Sequence, residues 1–317
     1  CLGACLAMIS QIYQIAGSLE SFMLTWVLLS VPVIYIMRSS MASLLCIAGI
    51  TIYGCQVNYW SGTDSNYFIC WLLLIAVLPY YLHIWRSGRS ENFVKFHHWV
   101  FPLAIVILLG SIANESSDLM FLAYVALFGV FYLLGRNSLF TANDDVNNGY
   151  LALGFFGTVG ILLALSFDWF WKDLRSQPVN MGEVLASREF VVYVLLTIVA
   201  CILLVRWKVY RSWSSINVLS FTFLIFPLIY TVGYVSPAAV LLINLLLLLV
   251  GVSTIRAGAA RDHLGILNLG MLVIAALIVC RFFDTNISFV FRGILFVCVG
   301  IGFFITNHLM LKRRGAQ

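Results

Sequence analysis

Long runs of apolar residues, separated by short polar or charged breaks, recur along the whole chain. Most runs approach the ~20 residues that a helix needs to cross a bilayer, and they lack the alternation of apolar and polar positions that marks membrane-spanning strands. The pattern predicts about twelve membrane-spanning helices (eleven or twelve). They lie at residues 1–15, 21–37, 41–59, 67–85, 98–112, 119–134, 150–171, 190–205, 216–232, 237–255, 264–280 and 287–311. The runs at 98–112 and 190–205 are short enough for tilted or re-entrant segments.

The predicted fold class is therefore all-α, a polytopic transmembrane helix bundle that forms one domain over residues 1–317. Composition supports this prediction, because 62% of the residues are hydrophobic and 10% are charged, against about 25% charged in soluble domains. The longest break, residues 172–189, has room for a short surface helix, so no soluble domain is expected. The first run is shorter than a full span, and we expect further chain before Cys1.

Basic residues are unequally divided between the two ends of the predicted helices. When successive breaks are assigned to alternate faces, one face collects thirteen of the 18 Lys and Arg residues and the other collects five, while the acidic residues show the opposite bias. Loops rich in Lys and Arg face the cytoplasm. This face therefore carries the cytoplasmic loops and the C-terminus, and its basic residues are Arg38, Arg86, Arg89, Lys95, Arg136, Arg206, Lys208, Arg211, Arg256, Arg261, Lys312, Arg313 and Arg314.

The basic split makes a testable topology prediction. Reporter fusions after Arg89, Arg211 and Arg261 are expected to read cytoplasmic, because these positions lie in basic breaks. Fusions at positions 64, 115 and 177 are expected to read external. Two neighbouring fusions that read on the same side would show that the helix between them does not cross the membrane.

Several familiar chemistries have no counterpart in the sequence. The eight cysteines lie inside apolar runs and form no CxxC pair, so they are predicted to be small buried hydrophobes. Adjacent histidines on a helix point about 100° apart, so His97 and His98 are predicted to be interfacial anchors rather than metal ligands. The loop Asn143–Asn148 is predicted to be a polar turn that caps the next helix. We therefore predict no catalytic residue, no metal site and no cofactor.

Small and aromatic residues predict where helices pack and where they end. Gly154, Gly157 and Gly160 lie three residues apart, which predicts a close helix neighbour along this track. Seven of the nine tryptophans lie close to a predicted helix end, where amphipathic rings anchor at the membrane interface. Trp169 and Trp171 belong to this group.

Polar residues near the outer ends of the first two and last two predicted helices form a candidate outer-face polar site. Arg292 is expected about 8 Å inside the last helix at 1.5 Å per residue, where an arginine needs a partner. Asp284 and Glu20 are the candidates for a structural ion pair. The alternative is a site that receives an anionic lipid headgroup or a small solute. The members are Gln11, Tyr13, Gln14, Glu20, Arg281, Asp284 and Arg292.

Two stretches resemble a known family. The first is the segment Ile9–Gly17 (ISQIYQIAG) with Pro32 and Arg38 after it, and the second comprises the segments Leu267–Gly270 (LNLG), Arg281–Asp284 (RFFD) and Arg292–Phe296 (RGILF). Together they resemble the bacterial predicted membrane proteins known as domain of unknown function 2157. The resemblance implies a multi-pass protein of the bacterial cytoplasmic membrane, with further helices before this segment, and it implies no activity.

Three functional classes are compatible with these patterns. A transporter or channel for a small solute is favoured, because the number of helices, the prolines inside them and the missing soluble domain suit it. The alternatives are a non-catalytic membrane scaffold or envelope component and an enzyme that acts on a lipid-linked substrate. The lipid bilayer is the expected partner, and no nucleic acid is expected. The sequence does not indicate an oligomeric state.

Overall fold

The computed structural model describes residues 2–12, 17–60, 67–87, 91–113, 116–136, 148–176, 181–210 and 217–284, with residues 294, 297, 300–302, 304 and 305 beyond them. Nearly all of these residues are helical, and none of them lies in a strand. Within these ranges, nine helices are long and apolar enough to cross a membrane, and a bent pair adds a tenth if it is one span. The prediction of an all-α polytopic membrane fold is confirmed.

Thirteen α-helices are described. In chain order they are α1 (Leu2–Ile12), α2 (Leu19–Met37), α3 (Ser40–Cys55), α4 (Tyr67–Ser87), α5 (Glu91–Leu109), α6 (Met120–Gly135), α7 (Gly149–Ala164), α8 (Asp168–Ser176), α9 (Met181–Ala186), α10 (Arg188–Tyr210), α11 (Thr222–Val235), α12 (Ala238–Ala260) and α13 (Leu264–Asp284). A π-helical turn, Gln56–Trp60, extends α3. Of the first predicted span, residues 2–12 form α1. The last predicted span, 287–311, lies outside the described residues except for a few scattered positions.

Two of the short predicted spans, 98–112 and 190–205, are full-length helices. The fifth begins at Glu91 rather than at residue 98, because the helix continues backwards through polar residues that the apolar run excluded. The eighth, α10, has 23 residues instead of the 16 of the apolar run, and four of its seven extra residues are charged. Both helices are therefore long enough to cross the membrane.

The prediction of one continuous span at residues 150–171 was wrong. Helix α7 ends at Ala164, and the chain bends by 70° before α8 begins at Asp168. Helix α8 is amphipathic: Phe170, Trp171 and Leu174 are buried on one side, while its charged side chains occupy the other. A charged face is costly inside a bilayer, which favours a position of α8 at the membrane surface.

The helices divide into two compact units, and the first contains Cys1–Met120 with Ser138–Leu153. Helix α3 packs on α2, α4 and α5, and Ile47 and Ile50 on α3 are fully buried. Two tyrosines tie neighbouring helices together. The Tyr35 hydroxyl donates to the Ala76 carbonyl at 2.5 Å, and the Tyr59 hydroxyl donates to the Ile107 carbonyl at 2.6 Å. Such bonds and close packing hold helices together where lipid removes the hydrophobic drive.

The second unit contains Phe121–Asn137 with Gly154–Gln317. Its most extensive helix packing is between α12 and α13. A tight turn connects these helices, with Asp262 in the left-handed region at φ 55°. Glycines let these two helices approach closely, since a Cβ on Gly258 would lie 2.4 Å from the Leu267 backbone nitrogen. Helix α8 packs its buried side on α11 and α12.

The predicted glycine track on α7 is confirmed at two of its three positions. A Cβ on Gly154 would lie 2.5 Å from the Tyr132 backbone nitrogen on α6, and a Cβ on Gly157 would lie 2.4 Å from the Phe128 ring. Nothing lies within 4 Å of the corresponding point on Gly160. Gly160 is exposed, because six residues at about 100° each place it on a different face of α7 from Gly154.

Candidate functional site

The residues of the predicted outer-face polar site fall in different parts of the described chain. Gln11 is exposed on α1, and Glu20 is half-buried in the first turn of α2; both belong to the first unit. Arg281 lies in the last turn of α13, in the second unit. Tyr13, Gln14, Arg292 and the Asp284 side chain lie outside the described residues.

Arg281 binds the backbone at the break between α7 and α8. Its Nη2 donates to the carbonyl oxygen of Ser166 and lies 3.4 Å from the Ser166 hydroxyl. The guanidinium carbon also lies 5.2 Å from the centre of the Phe167 ring, a cation–π distance. The Asn244 side chain on α12 donates to the same carbonyl at 3.3 Å.

These bonds satisfy carbonyl groups that the end of α7 leaves without a helical partner. The Leu165 carbonyl accepts a bond of 2.7 Å from the indole nitrogen of Trp171, and the Ser166 carbonyl accepts from Arg281 and Asn244. An unpaired carbonyl inside a membrane protein costs several kcal/mol. Arg281 therefore stabilises the broken helix end by closing it from a neighbouring helix.

Replacement of Arg281 by glutamine is expected to destabilise the protein by about 1–3 kcal/mol, because a charge-assisted hydrogen bond to a partly buried carbonyl is lost. Thermal unfolding in detergent measures this change. The matched control is Arg256→Gln on α12, where the side chain is exposed and little change is expected. Equal melting temperatures for the Arg281 variant and the unchanged protein would contradict the assigned role.

Two salt bridges lie on the polar side of α8. The Asp168 carboxylate lies 3.0 Å from Lys172 Nζ and 3.2 Å from Arg175 Nη2. Burial raises the pKa of Asp168, but the hydrogen bonds and positive charges of Lys172 and Arg175 outweigh that effect and hold the pKa below its usual value. The carboxylate therefore stays charged and paired at neutral pH, although such exposed pairs contribute only about 0–1 kcal/mol.

A second polar cluster lies in the first unit, where side chains from four helices meet. We call it the histidine–tyrosine cluster, and its members are Ser43 on α3, Tyr81 on α4, His97 and His98 on α5 and Tyr150 on α7. All five are buried: His97 is 0% exposed and His98 is 6% exposed. The prediction that these histidines anchor the protein at the membrane interface was wrong.

Hydrogen bonds connect the cluster in two branches. The Tyr81 hydroxyl lies 2.5 Å from His98 Nδ1 and 3.2 Å from the Tyr150 hydroxyl. His97 Nδ1 lies 2.7 Å from the Phe93 carbonyl oxygen, and His97 Nε2 lies 3.0 Å from the Ser43 hydroxyl. Because a carbonyl oxygen only accepts, the proton of His97 is on Nδ1 in the neutral form.

The first turn of α7 is held against α5, and this places Tyr150. A Cβ on Gly149 would lie 2.3 Å from the carbonyl oxygen of His98, so only glycine allows this approach of the two backbones. Asn148 caps α7, since its side-chain oxygen accepts from the Leu151 backbone N–H at 3.2 Å, as the sequence predicted. The neighbouring residues 143–147 lie outside the described part of the chain.

Aromatic rings surround the two imidazoles. The Tyr81 ring stacks on His97 with 5.7 Å between ring centres and on Trp85 with 6.0 Å. His98 meets the Trp85 ring edge-on at 5.2 Å and the Tyr150 ring at 6.0 Å. The rings shield the polar groups from lipid and offer π-faces that favour a nearby positive charge.

No sequence pattern indicates this cluster. Its members are separated by tens of residues and share no motif, and the apolar run at 98–112 placed the histidines at the end of a helix that in fact begins at Glu91. Nothing in the described ranges offers a group of three or more His, Cys, Asp or Glu side chains that could hold a metal ion. Hydrogen bonds and ring contacts connect the members of the cluster.

No protein-family model, curated protein or solved structure matches this chain.

Proposed function

We propose that the protein is a multi-pass transporter or channel for a small polar solute. The observation that carries the proposal is the buried histidine–tyrosine cluster between four helices. Ionisable and polar side chains are expensive inside a membrane protein, and where they occur they commonly mark the path of an ion, a proton or a substrate. The many apolar helices of a membrane-embedded protein supply the surroundings that such a path requires.

The depth of the cluster supports a functional role over a merely anchoring one. His98 lies six residues after Asn92, the first residue of the candidate membrane span of α5, which is about 9 Å along the helix axis at 1.5 Å per residue. Tyr81 lies six residues before Ser87, the last residue of the candidate span of α4, and so at the same distance from that end. Interfacial anchors lie at the ends of spans instead.

The location and orientation belong to the same proposal. The thirteen-to-five division of basic residues supports cytoplasmic basic loops, and the cluster then lies near the cytoplasmic ends of its helices. The resemblance to the bacterial family known as domain of unknown function 2157 supports the bacterial cytoplasmic membrane. The partner is the lipid bilayer, and the cargo is a small solute.

A membrane scaffold is the second candidate, and close helix packing favours it. Gly258 and Gly270 bring α12 and α13 into backbone contact, as is typical of rigid helix pairs. A scaffold would give no solute flux, whereas a transporter would.

The test is solute entry into proteoliposomes that contain the purified full chain. Stopped-flow light scattering would follow entry of a panel of glycerol, neutral amino acids, monosaccharides and inorganic phosphate. At least one solute is expected to enter faster than into protein-free liposomes. The double variant Ser43→Ala/Tyr150→Phe is expected to slow the entry of that solute. Identical rates for the whole panel would contradict transport and favour the scaffold.

A further inference from the structure

We infer that the histidine–tyrosine cluster is a proton-binding site, in which His97 and His98 together hold one proton. The inference deepens the proposed function, since a bound proton inside the helices would drive or gate movement of the solute. Proton binding itself is a property of the cluster and can be measured without any solute. The argument rests on the hydrogen bonds between Tyr81, His98 and Tyr150 and on those of His97.

The Tyr81 hydroxyl can serve either charge state of His98. With a neutral imidazole, Tyr150 donates its proton to the Tyr81 oxygen, and Tyr81 donates its own proton to His98 Nδ1. When Nδ1 takes up a proton, the imidazolium donates to the Tyr81 oxygen, and the Tyr81 hydroxyl turns to donate to Tyr150. The distances of 2.5 and 3.2 Å fit both arrangements, because hydroxyl groups donate and accept.

The reversal adds one proton and removes none, and it needs only hydroxyl rotation. A buried group that loses its partner costs about 1–3 kcal/mol, and in both states His98 Nδ1 and the Tyr81 hydroxyl keep their hydrogen bonds. The paired tyrosines therefore point to a site that changes its charge.

His97 is also satisfied in both charge states. Its Nδ1 donates to the Phe93 carbonyl throughout, and its Nε2 either accepts from the Ser43 hydroxyl or, when protonated, donates to it. The two imidazoles are neighbours on one helix, so a positive charge on one opposes a charge on the other. The pair consequently holds one proton at a time.

The surroundings can accept that positive charge. Among the residues that the structure describes, Tyr81 from α4 and Tyr150 from α7 are titratable groups that face the imidazoles, and α3 presents the neutral hydroxyl of Ser43. Trp85 and Tyr81 present rings within 6 Å of an imidazole centre, a distance at which a cation is attracted to an aromatic ring. His98 lies about 9 Å along α5 from the start of its candidate membrane span. A proton that enters from water at that end therefore has a short distance to travel.

The experiment is an NMR titration of the full chain in lipid nanodiscs, with histidine labelled with ¹³C and ¹⁵N in the ring. Histidine variants assign the resonances. We expect one ionisation shared by His97 and His98 between about pH 5 and pH 8, where imidazoles ordinarily titrate. Retention of both neutral imidazoles throughout that range, in folded protein, would overturn the inference.

Tyr150→Phe is the decisive variant, because it removes one oxygen and keeps the ring. The charged state then leaves the Tyr81 proton without its acceptor, so the ionisation midpoint is expected to fall by about half a pH unit or more. Tyr81→Phe removes the acceptor of the imidazolium proton and is expected to lower the ionisation midpoint further. His83→Gln is the matched control, since His83 is exposed on α4 two residues from Tyr81. An unchanged midpoint in Tyr150→Phe would overturn the proposed chain.

Solute entry at several pH values separates this inference from the proposed function. Coupling predicts that the rate for a solute found in the panel depends on pH, and that His98→Gln removes this dependence while His83→Gln keeps it. Titrating imidazoles without any solute entry would leave the proton site standing and overturn transport. Entry at a rate that ignores pH in every variant would leave transport standing and overturn the coupling.

Discussion

Replacement of Trp171 by alanine is expected to lower the free energy of unfolding by about 3–5 kcal/mol, the usual cost of removing a large buried aromatic side chain. Trp171 is 0% exposed, and its indole donates to the Leu165 carbonyl at the break after α7. Its ring also fills the space above Gly233 on α11, where a Cβ would lie 2.2 Å from the ring. The variant therefore leaves a cavity and an unpaired carbonyl together.

Thermal unfolding in detergent, followed by circular dichroism, measures the loss. Trp169→Ala is the matched control, because Trp169 lies on the same helix and is 57% exposed. The control is expected to change stability by no more than about 0.5 kcal/mol, as exposed substitutions usually do. Equal losses of unfolding free energy in the two variants would contradict the prediction, because Trp171 would then stabilise the protein no more than an exposed tryptophan does.

Gly154→Ala is expected to destabilise the protein by about 1–3 kcal/mol, although alanine favours a helix more than glycine does. The added methyl group would lie 2.5 Å from the Tyr132 backbone nitrogen and 2.8 Å from the Phe128 carbonyl oxygen. Both atoms belong to the backbone of α6, so the two helices must move apart. The close contact of α6 with α7 would be lost in part.

The same substitution at Gly160 is the control, since nothing lies within 4 Å of its added carbon. There alanine is expected to leave the free energy of unfolding unchanged or to raise it by up to about 1 kcal/mol, the difference in helix propensity between alanine and glycine. A loss at Gly160 as large as that at Gly154 would show that helix packing does not explain the effect.

Most of the fold could be predicted from the lengths of the apolar runs. Bilayer thickness sets a narrow range of helix lengths, and lipid selects apolar residues on every side of a helix. The failure at residues 150–171 has a physical cause. Tryptophan and phenylalanine are apolar by composition, whether they face lipid, the interface or a protein neighbour. The apolar run therefore continued through Trp169, Phe170 and Trp171. The helix break before them depends on the packing of α8 on α11, which the run does not show.

The candidate sites were harder to predict. The outer-face polar site was inferred from depth alone, and depth does not say which helices are neighbours. Arg281 was expected among the polar residues of that site, and its described partner is the Ser166 carbonyl, which is available because α7 ends where no sequence signal marks an end. Ser43, Tyr81 and Tyr150 join the histidines only through tertiary packing, which no local sequence pattern marks.

The charges of α8 have a consequence for how the protein responds to its membrane. Asp168 and Asp173 balance Lys172 and Arg175, so this helix carries no net charge to attract or repel headgroups. Its attachment depends on Phe170, Trp171 and Leu174, and these apolar contacts are insensitive to ionic strength. The bent end of α7 therefore keeps its geometry in membranes of different anionic lipid content and at different salt concentrations.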